Sequence, residues 1–315
     1  VSAGDLDVAV AKFSTNGDFL WSIRLGDADL QFPTAVAIDS SGDIVVAVQF
    51  GTGLPNEGTT LVKLSPSGEF VWSQSWLGAD VRGLRIGLPN SVLAAGWFWN
   101  SVDFGGGPLA SAGLEDIFLV ELGPSGDWSW DKRSGSFGSE RVLSLAIDPA
   151  SAPSGNIVVA GYFDRTLDFG TGAPLVSVQD PSRFGPSDDI FIAKLDPTGK
   201  GIWSRQFGDS VTNEAATNVA VDASGAIVVS GNGGTALDFG FGPFLVNDSS
   251  VFVVRFDGAG QALWDRPCPN SSAPVVTLPS LDVLVGGGFP VGTDFAGATR
   301  TFVGGTSVFL VEYAP

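Results

Sequence analysis

One strand-like phrase recurs six times along the chain: DVAVAKF from Asp7, TTLVKL from Thr59, DIFLVEL from Asp116, DIFIAKL from Asp189, SVFVVRF from Ser250 and SVFLVEY from Ser307. Each is short, alternates, and is rich in β-branched and aromatic residues, the pattern of a strand with one or both faces buried. The first five are followed by a Gly turn and a Trp, at Trp21, Trp72, Trp130, Trp203 and Trp264. A self-similar period of roughly 50 to 70 residues is the mark of a repeat architecture, in which one unit cannot bury its own faces and neighbours must cover it.

The fourth unit is the clearest. DIFIAKL (Asp189 to Leu195) runs into the turn Asp-Pro-Thr-Gly and then GIWSRQF; NVAVD (Asn218 to Asp222) and AIVVSG (Ala226 to Gly231) flank the turn Asp-Ala-Ser-Gly. Gly takes the positive φ of such hairpin turns at little cost. Each unit thus supplies four antiparallel strands, and no stretch keeps a helical period. Four-stranded sheets in tandem bury both faces most simply as radially packed blades. The expectation is an all-β chain: a β-propeller of five blades of four antiparallel strands, forming a single domain over residues 1–315. The sixth phrase is a surplus strand. Closure is therefore expected by pairing of N- and C-terminal strands, with Phe19 to Leu25 as the outer strand of the last blade and Val8 to Phe13 competing with Val308 to Tyr313.

Charge narrows the function classes. The chain has 34 Asp and Glu against 16 Lys and Arg, a net charge of -18, and no His. Phosphate backbones require the opposite sign, so nucleic acid is excluded as a partner. No apolar run approaches the roughly 20 residues of a membrane span. Without His, a Ser-His-Asp or metal-imidazole centre cannot be built, which leaves paired carboxylates as the main catalytic option. Cys268 stands alone between prolines with no His to activate it, and is read as a buried or tolerated thiol. The acidic, Gly-rich composition and a first residue Val1 suit a processed, extracytoplasmic protein: secreted, at the cell surface or periplasmic.

Much of the acidity has a structural reading. Asp39, Asp148, Asp196, Asp222 and Asp257 fall at turn positions where a carboxylate caps backbone amides. Asp103, Asp168, Asp238 and Asp294 recur in VDFGGG, LDFGTG, LDFGFG and TDFAGA, which predicts a structural turn with its Phe tucked inward. Calcium on these Gly-rich loops is the sharper alternative, but one Asp per loop lacks the alternating carboxylates of a calcium loop. No cofactor is expected, and no metal ligand is assigned.

The phrase D-I-F-x-A-K-L-D-x-x-G-x-x-x-W-S, followed by A-V-A-V-D-x-S-G-x-I-V-V-x-G and D-F-G-x-G-P-L, resembles the bacterial SBBP-type β-propeller repeat, common in large secreted or surface proteins of myxobacteria and their relatives. The resemblance spans essentially the whole chain. It implies a fold and no activity, because that family has no general catalytic motif to carry over. Units two and five depart from it, with LRIGLPNSVL and VTLPSLDVLV in place of the Asp-x-Ser-Gly hairpin. Gly199 to Trp203 also looks like the tryptophan-docking turn of quinoproteins, where it locks blades together.

A position dictated by architecture looks alike in every unit, so the five repeated Trp are read as blade contacts. Binding is sought where the units disagree. The residue just after the fourth strand of the unit is Gln49, Trp97, Tyr162 and Asn232 in successive units, and these with Trp99 are the candidate ligand-binding residues. Trp97 and Trp99 alternate with Phe98 and point to one face; they form either a platform for a sugar or a partner, or a wider blade contact. The segment Leu175 to Ser187 is an insertion of the kind that carries binding or covers a surface. Asp80, Glu140, Asp164 and Glu214 are carboxylates in variable loops, expected to be exposed. The reading that results is a noncatalytic binding or assembly module, a surface scaffold for a protein partner or for self-assembly. A carbohydrate-binding, lectin-like propeller is the nearer alternative and a carboxylate glycosidase the farther one.

Overall fold

The computed structural model describes residues 6–51, 57–151, 154–179, 187–210, 212–234, 236–243, 250–269, 274–289, 293–295, 298–300 and 307–313. It is propeller-like and all-β apart from one 3-10 turn at Pro149–Ser151. The chain divides into two compact units, Val1–Arg133 and Ser134–Pro315.

In the first unit, β1 (Val8–Phe13) and β2 (Phe19–Leu25) form a hairpin of their own. Two four-stranded antiparallel meanders follow. One contains β3 (Gln31–Ile38), β4 (Ile44–Phe50), β5 (Gly58–Leu64) and β6 (Phe70–Leu77); the other contains β7 (Ala79–Ile86), β8 (Val92–Asp103), β9 (Pro108–Leu122) and β10 (Trp128–Ser134). The meanders pack face to face, with Val45, Ala47 and Leu61 against Leu84, Ala94 and Phe118.

The second unit repeats the scheme. One sheet contains β11 (Glu140–Asp148), β12 (Asn156–Phe163), β15 (Asp189–Leu195) and β16 (Gly201–Phe207), with β13 (Thr166–Leu167) and β14 (Leu175–Val176) as a small hairpin beside it. The next contains β17 (Ala215–Val221), β18 (Ile227–Gly233), β19 (Ser250–Phe256) and β20 (Ala262–Pro269). The last has three strands, β21 (Val275–Thr277), β22 (Val283–Phe289) and β25 (Ser307–Tyr313), with β23 (Thr293–Phe295) and β24 (Ala298–Arg300) as a separate pair. Ala146, Val158 and Ile190 of the first sheet pack on Val219, Val229 and Phe252 of the second.

Two sequence expectations change here. Four sheets among the described residues have four strands, not five. The terminal closure takes a different form: Phe19–Leu25 pairs with Val8–Phe13, and Ser307–Tyr313 pairs with β22. The sequence could not settle this competition because the two copies of the third-strand phrase carry the same alternation, so each satisfies the pairing rule equally well.

The hairpin turns share one geometry. The residue that opens the turn accepts from the N–H three residues on and donates to the carbonyl four residues on, as in Asp39 with Gly42 and Asp43, and Asp222 with Gly225 and Ala226. The penultimate residue is left-handed, at φ 85° in Gly42 and 84° in Gly225. The divergent hairpins of units two and five keep this turn with Asn90 and Leu281 in the left-handed position, at φ 68° and 71°.

The repeated Lys and Trp have one joint explanation. Lys12 faces Trp21 across the β1–β2 pair, Lys63 faces Trp72 and Lys194 faces Trp203. Both members donate to a single carbonyl in the next turn: Lys12 and Trp21 reach Pro66 O at 2.9 and 3.0 Å, and Lys194 and Trp203 reach Gly258 O at 3.2 and 3.1 Å. The indole of each Trp lies on a glycine of that turn, Trp21 on Gly68, Trp72 on Gly126 and Trp203 on Gly260. Docking therefore runs from one sheet to the next within each compact unit. It buries these Trp less than expected: Trp72 is buried, but Trp21 and Trp203 are half-buried because the contact lies on the outer strands.

Candidate functional site

Gln49, Trp97, Tyr162 and Asn232 lie within the second strand of their sheets, not after it as the sequence suggested, and occupy one register. Gln49 pairs with Phe32 and Thr59, Trp97 with Asp80 and Ile117, Tyr162 with Arg141 and Ile190, and Asn232 with Ala215 and Val251. The repeat therefore delivers variable side chains to the same end of successive sheets.

In the first unit these residues meet. Gln49 Nε2 donates to Asp80 Oδ2 at 3.2 Å, Arg82 donates to the same oxygen at 2.8 Å, and the Arg82 guanidinium lies 5.0 Å from the centre of the Trp97 ring. Arg82 is thus held between a carboxylate and an aromatic face, an arrangement that fixes all three side chains. Trp97 is only 6% exposed, with Arg82 over its ring. Trp99 is half-buried, and its backbone N–H donates to Gly78 O at 3.1 Å. In the second unit Arg141 lies 5.9 Å from the Tyr162 ring, and Asn232 is exposed. Sequence reasoning missed Arg82 and Arg141. The signal available was an Arg in both inner strands, one of them beside an Asp.

The four loop carboxylates are buried, contrary to expectation. Glu140 accepts from the N–H and hydroxyl of Ser136 at 3.1 and 3.0 Å, and Asp164 accepts from Ser139 N at 2.9 Å. Glu214 accepts from Asp209 N at 3.3 Å, and Asp80 is paired with Arg82. Glu140, Asp164 and Glu214 satisfy amides of the loops that lead into the inner strands.

The turn carboxylates behave as read. Asp39, Asp148, Asp196, Asp222 and Asp257 each accept from backbone N–H groups two or four residues on. Three also hold a cation from the third strand: Lys63 reaches Asp39 at 2.9 Å, Lys194 reaches Asp148 at 2.7 Å, and Arg255 binds Asp222. Asp103, Asp168 and Asp238 bind the amides of their glycine turns, and Phe104, Phe169 and Phe239 are buried behind them. The Asp294 side chain lies outside the described residues. Among the described residues no three His, Cys, Asp or Glu side chains converge as metal ligands. Cys268 is buried, and burial pushes its thiol up to about 11.

The insertion opens as β14 and then turns back. Gln179 donates to Asp164 O at 3.1 Å and to Ser187 O at 3.4 Å. Residues 180–186 between these anchors lie outside the described residues.

No family model matches the chain. A relative is an uncharacterised WD repeat-containing protein of Acanthamoeba polyphaga mimivirus, 19% identical over a 348-residue alignment that takes in 84% of this chain and 24% of that protein. The chain thus spans about a quarter of the length of this relative. Among solved structures, a protein of unknown function from Dyadobacter fermentans is similar with TM-score 0.47 and 16% identity, over 82% of this chain and 74% of that one. The Dos1 propeller gives TM-score 0.43 and 9% identity, over 88% and 55% of the two chains. A gluconolactonase from Xanthomonas campestris gives 0.42 and 17%, over 87% and 74%.

Proposed function

We propose that the chain is a noncatalytic binding or assembly module of the extracytoplasmic space, of the SBBP repeat type, and that it engages protein through the groove between β1 and β3. The supporting observation is a burial difference at one register position of the inner strand. Leu84 and Val219 are 0% and 3% exposed, each covered by the sheet before it in its own unit. The equivalent Val36 is 60% exposed, and Ile38 and Phe32 beside it are exposed as well. A cleft of about 410 Å³ separates this face from β1 and is lined by Val8, Val10, Pro33, Ala35, Val36 and Val46.

At the other junctions within each unit such a face is covered by the first two strands of a sheet. The β1–β2 hairpin consists of third and fourth strands alone, so among the described residues the β1 edge carries no further strand where the other sheets have a second one. The occupant that fits is an edge strand of a second copy of this chain, pairing with the β1 edge and covering Val36 and Ile38.

Sedimentation of the full chain over a wide concentration range tests the reading. Self-association that Val36→Lys and Ile38→Lys abolish, with unfolding midpoints unchanged, supports it. A wild type that remains monomeric throughout refutes it.

A further inference from the structure

The second unit contains an acid whose repeat partner has been exchanged. In the first unit Asp7 and Asp116, at the foot of the third strand, bind Arg24 and Arg133 on the fourth. Those arginines stand three residues after Trp21 and Trp130. The fourth repeat keeps the acid as Asp189 but has Gln206 three residues after Trp203. Where the repeat has no acid, at Thr59 and Ser250, Arg is missing too, with Ser75 and Pro267 at that place.

Gln206 is engaged elsewhere: its amide accepts from Val176 N at 2.8 Å and donates to Val176 O at 2.6 Å. Arg205, the neighbouring cation of β16, donates to the carbonyls of Ser204 and Ala259. Asp189 is fully buried against Gly208, with Oδ2 accepting from Val178 N at 2.9 Å and Oδ1 without a partner. The groups that face it are acidic. Asp188 precedes it, and Asp209 and Glu214 come from the β16–β17 loop, where the hydroxyl of Thr212 donates to both of the latter. Glu214 is fully buried as well.

We propose that Asp189 and Glu214 form a proton-operated latch, in which protons on this pair take the place of the arginine and hold the β16–β17 loop and the segment 176–179 against the foot of β15. Loss of the protons puts uncompensated charge into a buried site, which opens to admit water and releases both segments. The titration of both groups runs in this direction: burial first, then the neighbouring carboxylates, pushes Asp189 and Glu214 up to about 7. A folded value raised above the unfolded one contributes stability that is complete below about 4 and lost as pH rises through about 7. The released segments flank Tyr162 and Asn232, so the latch sets the order of the rim in the second unit.

The test is carboxyl NMR titration of the full chain together with denaturant midpoints from mildly acid to alkaline pH, for the wild type, Asp189→Asn and Gln206→Arg. Both carboxyls titrating near neutrality, and a midpoint that falls over the same range, are expected in the wild type. Asp189→Asn should reduce the fall by the share that belongs to Asp189 and move Glu214 only slightly down, because burial and Asp209 still act on it. Gln206→Arg should ionise Asp189 at all these pH values and restore the acid-side midpoint on the alkaline side. Asp189 titrating near an ordinary aspartate in the wild type, or a fall undiminished in Asp189→Asn, overturns the latch; should Gln206→Arg not fold, these two readouts still decide.

Discussion

The indole of Trp72 lies flat on Gly126: a methyl group on that glycine would stand 2.9 Å from the ring, while the indole N–H reaches Pro124 O at 3.0 Å. Gly126 is also left-handed, at φ 87°. One residue thus meets two demands, a backbone conformation and a surface without a side chain.

Gly126→Ala should therefore cost more than either demand alone, about 2 to 4 kcal/mol from the left-handed penalty and the displaced indole. Gly107→Ala is the control, since Gly107 is left-handed at φ 108° with nothing near its missing Cβ. About 1 to 2 kcal/mol is expected there. Urea midpoints of the two variants measure the difference, and equal losses would show that the Trp72 contact adds nothing.

The Lys63–Asp39 pair should govern part of the acid limb of stability. Burial opposes the charge on Asp39, but hydrogen bonds from Lys63, Ser41 and Asp43 outweigh it and hold the carboxyl below its usual 3.8. A lowered value contributes stability that is present above 3.8 and lost as pH falls through the lower folded value. Lys63→Met leaves Asp39 buried without its cation and should cost about 3 kcal/mol near neutral pH. The double variant with Asp39→Asn should recover part of this loss. A double-mutant cycle with no coupling would contradict the pairing.

Leu281 holds a left-handed turn position that Gly42 and Gly225 occupy elsewhere, and its carbonyl accepts from Arg255 at 2.8 Å. Leu281→Gly keeps that carbonyl and removes the steric penalty, at some cost in unfolded-chain entropy. A gain of about 0.5 to 1 kcal/mol should appear in thermal or urea unfolding. A loss would mean that the Leu281 side chain contributes packing beyond the turn.

The strands, the turn carboxylates and the buried Phe of the DFG turns were legible in the sequence because each depends on local periodicity or on spacing within a few residues. The candidate rim was legible as a register, since Gln49, Trp97, Tyr162 and Asn232 occupy equivalent places. Their surroundings were not. The cation over Trp97 comes from Arg82 on a neighbouring strand, and Asp80 is buried beside Gln49 of another sheet; such meetings depend on how strands pair and sheets stack, which spacing along the chain does not encode. The exchange of Arg for Gln206 was present in the sequence all along, but it acquires meaning only once Asp7 and Asp116 are seen to hold Arg24 and Arg133.

The direction of Trp docking has a consequence for how the protein is made. Trp21, Trp72 and Trp203 all lean towards residues about fifty positions later in the chain, at Pro66, Pro124 and Gly258, and none leans back. On the ribosome the strands that carry these three tryptophans therefore wait, with the indole undocked, until the turn of the next sheet has emerged. Maturation advances along the nascent chain one repeat behind synthesis, and a stall in translation leaves a single loose sheet at the growing end while the earlier ones are already secured.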